Sequence, residues 1–197
     1  MKRLKTITLL ALTVILLTFC NSINVSASNL DSQTLLLLRP STADYGIDYY
    51  LKEQPKNVRN FLAKQNVDIQ VVDELEWQSP DALATFAYTM VDFTDDRKTI
   101  TGIKVRLKRG YTEALPHEIG HVISCYNNIA FYWANTPEFE QIWQLESHNS
   151  MLIANGWADS DEYFAEAYKF YVESPEWLKE HHPMTYEYVK AVVAQAN

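Results

Sequence analysis

Two histidines, His117 and His121, stand four residues apart, and Glu118 directly follows the first. Four residues advance an α-helix by about 400°, so the two rings fall on one face, one turn apart. At that spacing two imidazoles can hold one small ion, and a glutamate beside them can reach a water on that ion. Ile119, Val122 and Ile123 supply the same helix with an apolar side. The stretch must therefore be helical, packed on one side and open on another.

Zinc needs a third protein ligand and an open fourth position. In metzincins a glycine follows three residues after the second histidine and a further histidine three beyond it. Those positions are Ser124 and Asn127 here, which excludes that class. A carboxylate from a later helix is the remaining source. Asp161-Glu162-Tyr163-Phe164-Ala165-Glu166 offers two, Glu162 and Glu166, again one turn apart on one face. The first can ligate the metal. The second can hold the free ring nitrogen of a ligand histidine and so fix its tautomer. Glu118 is then the general base that takes the proton as water attacks a carbonyl.

The other residues limit the context. The chain has 197 residues, 47% of them hydrophobic, enough for one packed domain. Its net charge of -8 offers no basic face for nucleic acid, and its 5 glycines form no phosphate-binding loop. Lys2, Arg3 and Lys5 precede an uncharged run from Ile7 to Phe19, followed by Val25-Ser26-Ala27. This is the layout of a signal peptide over residues 1–27, leaving one domain over 28–197. The mature chain keeps only Cys125, so it has no internal disulfide. The expected state is a secreted, extracellular monomer, off the membrane once the signal is removed.

Strands are expected at Leu35–Leu38, Asp68–Val72 and Ile100–Leu107. The last alternates Ile103, Val105 and Leu107 with Lys104, Arg106 and Lys108, which reads as an edge or half-exposed strand. Ala82–Phe93 can be helix or strand. Helices are expected over Pro55–Gln65, from Tyr111 onward, after Thr136-Pro137, after Asp159 or Ser160, after Ser174-Pro175 and over Thr185–Ala194. Cys125 and Trp133, Trp143, Trp157 and Trp177 read chiefly as core. His181-His182 read as a solvated helix end, and His148 is given no role.

Leu115-Pro116-His117-Glu118-Ile119-Gly120-His121-Val122, followed by Asp161-Glu162-Tyr163-Phe164-Ala165-Glu166-Ala167, resembles the anthrax lethal factor catalytic domain and the secreted Pro-Pro endopeptidases. The resemblance implies an α+β, thermolysin-like zincin fold with a small mixed sheet, a helix carrying the active site and a mostly helical C-terminal half. It implies Zn2+ held by His117, His121 and Glu162, Glu118 as base and Glu166 behind a ligand. The implied activity is a zinc metalloendopeptidase acting on a protein or peptide, proline-directed or toxin-like. The strand pattern adds an expected place for an extended substrate, along an edge strand at Ile100–Leu107. One position departs. The family places a tyrosine seven residues before the ligand glutamate, where this chain has Asn155. That leaves the group facing the reacting oxygen unassigned. It also leaves a second reading open: a catalytically impaired zinc-binding protein on the same fold, acting as a binding or toxin component.

Overall fold

The computed structural model describes residues 46–77, 85–95, 99–127, 136–147 and 159–196. All of them belong to one compact unit, Arg39–Asn197. The expected signal peptide, the Leu35–Leu38 strand, His148, Asn155, Trp133 and Trp157 lie outside the described residues. No helix among the described residues is long and apolar enough to cross a membrane.

Two short helices lead, α1 (Ile47–Glu53) and α2 (Lys56–Lys64). Val58, Phe61 and Leu62 recur at helical spacing in α2 and are all buried. Nothing in the local pattern announces α1. Gly46 gives it no side-chain cap, and its aromatic pair Tyr49-Tyr50 carries weak helix propensity. One long-range bond and one local bond at its C-terminal end hold it instead. Tyr168 Oη donates to Gln54 Oε1 at 2.6 Å, and Gln54 Nε2 donates to the Tyr50 carbonyl at 3.0 Å.

Three strands follow: β1 (Asp68–Val72), β2 (Ala87–Phe93) and β3 (Ile100–Lys108). They form a mixed sheet in the order β1-β3-β2, with β1 parallel and β2 antiparallel to β3. The ambiguous Ala82–Phe93 segment is therefore a strand from Ala87 onward. Of the two places expected for Ile100–Leu107, the edge is corrected and the half-exposed strand holds: among the described residues β3 is central, with one face buried and the other partly exposed. Its cations mark the face of the sheet turned away from the core. There they are satisfied sideways, Arg106 by Asp68 of β1 at 2.6 Å and Lys104 by Asp92 of β2 at 3.2 Å. Alternating charge reports which face is wet, and a central strand with one wet face carries the same pattern as an edge strand.

Gly110, with φ of 87°, turns the chain out of β3 into a 3-10 turn (Thr112–Ala114). From there every described element is helical: α3 (Leu115–Asn127), α4 (Pro137–Glu146), α5 (Ser160–Glu173), α6 (Pro175–His181) and α7 (Pro183–Gln195). Asp159 caps α5 by accepting from the Glu162 N–H at 2.9 Å, and Thr136 caps α4 at the Phe139 N–H. The core gathers Ile103, Val105 and Leu107 from β3, Leu115, Ile119, Val122 and Ile123 from α3, and Phe164, Ala167 and Tyr168 from α5. The architecture is thus α+β, a small three-stranded sheet beside a mostly helical half.

Candidate metal centre

Helices α3 and α5 lie against each other unusually closely. A Cβ on Gly120 would fall 2.7 Å from the Ala165 Cα and 2.9 Å from its carbonyl oxygen. The missing side chain lets the backbones meet, and this brings the histidine face of α3 against the carboxylate face of α5.

The ring atoms converge there. His117 Nε2 and His121 Nε2 are 3.1 Å apart. Glu162 Oε2 lies 3.2 Å from His117 Nε2, and Glu162 Oε1 lies 3.6 Å from His121 Nε2. A tetrahedral ion with nitrogen and oxygen ligands at about 2.0–2.2 Å sets its ligand atoms about 3.3–3.6 Å apart. The three residues therefore fit a zinc-type ion. Among the described residues they are also the group of histidine, cysteine and carboxylate side chains able to hold a metal.

Carboxylates stand behind both rings. Glu166 Oε2 accepts from His117 Nδ1 at 2.9 Å, and Lys169 Nζ donates to Glu166 Oε1 at 3.4 Å. Asp161 Oδ1 lies 3.4 Å from His121 Nδ1 and accepts from the Ser124 hydroxyl at 3.3 Å. Each ring thus has a carboxylate at Nδ1, which leaves Nε2 as the ligand atom on both.

The charges follow from this arrangement. Burial alone would lower the His117 pKa, but Glu162 and Glu166 outweigh it and raise it to about 10. At His121 burial likewise pulls the pKa down, but Asp161 outweighs it and the pKa is raised. The two rings cannot both carry Nε2 protons, because the N–H groups would then face each other at 3.1 Å. Glu166 is pushed up by burial, but His117 and Lys169 pull it down to about 2.

Glu118 is 5% exposed. Its Oε2 accepts from the Thr89 hydroxyl of β2 at 2.7 Å. Thr89 and Asp161 had no assigned role in the sequence. Asp161 stands inside the same six-residue stretch, one position before Glu162, so its place on α5 was legible in the sequence. Nothing local marks Thr89, because its role depends on the sheet lying beside α3.

The remaining expectations divide. Cys125 is a buried core residue whose thiol is pushed up by burial to about 12, and it takes no part in the centre. His181 is exposed and stacks on Trp177, as a solvated helix end would. His182 departs from that reading. It is buried, and its Nδ1 lies 3.3 Å from Tyr163 Oη in a polar cluster with Thr185. Tyr163 and Tyr168 are both core residues.

The chain matches a family described as anthrax toxin lethal factor, N- and C-terminal domain, over residues 47–192. Among solved structures it is similar to the Pro-Pro endopeptidase of Paenibacillus alvei, with a TM-score of 0.51 at 19% identity. That similarity covers 74% of this chain and 88% of the other, and at such identity it is a likeness of fold. No curated protein matches. The matched span runs from the first described helix almost to the end of the last and contains the whole centre, so this chain belongs to the anthrax toxin lethal factor family.

Proposed function

We propose that this chain is a secreted zinc-dependent endopeptidase of the thermolysin-like zincin class. The convergence of His117, His121 and Glu162 on one point, with buried Glu118 on the same helix, carries the reading. His117, His121 and Glu162 would hold the ion, while Glu166 and Asp161 orient the two rings. When bound, the ion supplies Lewis acidity toward the scissile carbonyl and lowers the pKa of a water. Glu118 accepts a proton from the attacking water as its oxygen bonds to the carbonyl carbon. The C–N bond then breaks, and Glu118 returns the proton to the leaving amine nitrogen.

The place of the substrate moves with the corrected sheet. Among the described residues β2 is an edge strand, and it sends a side chain to Glu118, so we place an extended peptide along β2 and not along β3. Residues 1–27 would direct export and be removed. Proline-directed cleavage, the property for which the Paenibacillus Pro-Pro endopeptidase is named, is one specificity to test. A purely structural ion site has no use for a buried glutamate beside its first ligand, and this weighs against a binding-only role. The test is incubation of the mature protein with a peptide library, with and without chelator, read by mass spectrometry. Cleavage abolished by chelator and restored by zinc is expected. An intact library with zinc bound would overturn the reading.

A further inference from the structure

Resting on the peptidase reading of this centre, we infer that Thr89 of β2 is a positioning residue for the Glu118 carboxylate. Thr89 occupies the face of β2 that turns toward α3, paired in register with the fully buried Val105 of β3. Along this face β3 carries Ile103, Val105 and Leu107, and β2 carries Ala87 and Val91 on either side of Thr89. A valine would continue the apolar row with almost the same shape. The hydroxyl is what distinguishes the residue that stands there.

That hydroxyl has one proton and two acceptors within reach. Glu118 Oε2 lies at 2.7 Å and the Glu118 backbone carbonyl at 3.2 Å. The carboxylate is the nearer, and a charged acceptor makes the stronger bond. Glu118 has three rotatable bonds before its carboxylate, so a helix alone does not fix where the two oxygens lie. The bond from Thr89 ties down Oε2 and leaves Oε1 for the proton transfer. The donor sits on a sheet strand, an element separate from the helix that carries the base. The carboxylate is therefore held relative to the same strand along which we place the peptide. Base and substrate then share one frame, which is what an in-line proton transfer requires.

Two substitutions separate the hydroxyl from the packing. Thr89→Val keeps shape and loses the donor, whereas Thr89→Ser keeps the donor and loses a methyl. Positioning predicts that Thr89→Val lowers kcat about 10- to 100-fold, as a misplaced catalytic group does. KM, zinc content and melting temperature should stay near the parent's, and Thr89→Ser should recover most of the turnover. A packing role predicts the reverse order, with serine the more damaging change, and that result would overturn the proposal. Crystals of the zinc-loaded parent and of both variants supply a readout that needs no turnover. The Glu118 carboxylate should keep its place in the parent and in Thr89→Ser and leave it in Thr89→Val. An unmoved carboxylate in Thr89→Val would overturn the proposal even if the parent cleaves well. A parent that cleaves nothing would overturn the peptidase reading, while the crystals still decide the role of Thr89.

Discussion

Replacing Gly120 by alanine sets two effects of known sign against each other. Glycine in a helix interior costs about 1 kcal/mol relative to alanine, so local propensity favours the substitution. The structure opposes it. The new Cβ would sit 2.7 Å from the Ala165 Cα and 2.9 Å from its carbonyl oxygen, and both are backbone atoms that no rotamer can move. Ordinary carbon contact begins near 3.5 Å, so the helices must part locally by about 0.7–0.8 Å. Overpacking of this kind costs about 1–3 kcal/mol. An obstacle made of backbone places the cost toward the upper end, leaving a net loss of about 1–2 kcal/mol after the propensity gain.

The same displacement acts on the metal centre, because α3 carries both histidines and α5 carries the carboxylates. Metal sites tolerate ligand displacements of about 0.2 Å, several times less than the parting required here. Zinc affinity should therefore fall by about 10- to 100-fold, the range seen when ligand orientation is disturbed. Thermal melting of the metal-free protein should drop by about 2–8 °C for a domain of this size. A competition titration against a chromophoric chelator measures the affinity. Gly102 is the control, since a Cβ there meets only the Asp92 side chain, no nearer than 3.5 Å, and its alanine variant should melt near the parent. If Gly120→Ala melts at or above the parent and binds zinc as tightly, the close approach of the two backbones does not set the geometry of the centre.

Other perturbations separate the roles within the site. Glu118→Gln should keep zinc and fold while turnover falls about 100-fold or more, the contribution expected of a general base; equal turnover would refute that role. Metal analysis after dialysis should find one zinc per parent chain and none in the His117→Ala, His121→Ala or Glu162→Ala variants. If Glu166→Ala lost zinc while Glu162→Ala kept it, the two glutamates would exchange roles. Zinc affinity should fall on acidification, because a protonated imidazole cannot ligate, and uptake at neutral pH should release protons measurable as a buffer-dependent heat. Away from the centre, hydrogen bonds from Arg106 and Gln70 hold Asp68 below the usual carboxylate range, so its stabilising effect is present above that range and fades as pH falls through the lowered pKa. For a pair this exposed the effect should be under about 1 kcal/mol, and urea midpoints of Arg106→Ala and parent should converge in acid.

Parts of the chain that encode their structure locally were readable from the sequence. The Asp159 and Thr136 caps place α5 and α4 because a cap and the helix it starts are neighbours in sequence. Glu162 and Glu166 could be placed side by side toward the histidines because one helical turn fixes their common face. What escaped depends on distant partners. α1 is held by the Tyr168–Gln54 bond, whose residues stand 114 positions apart. The centre of the sheet went to β3 because β1 and β2 both pair with it, and its own alternation cannot say how many neighbours it has. His182 became a core residue because Tyr163 and Thr185 close around it.

The five-residue helical motif nevertheless predicts more of the site than its two ligands. At about 100° per residue, His117 and His121 point within about 40° of each other. Glu118 lies about 80° to one side of their mean direction, and Gly120 lies about 80° to the other. A helix with this sequence offers a polar group on one flank of its ligand face and a gap on the other. The two flanks meet different neighbours. α5 enters on the glycine flank, where Ala165 fills the gap and Asp161, Glu162 and Glu166 reach the histidine rings. β2 lies on the glutamate flank, where Thr89 reaches the carboxylate. On the proposed reading, the metal-holding and proton-handling halves of the centre thus come from opposite sides of one helix. A substitution on the α5 side should register first in zinc affinity, and one on the β2 side first in turnover.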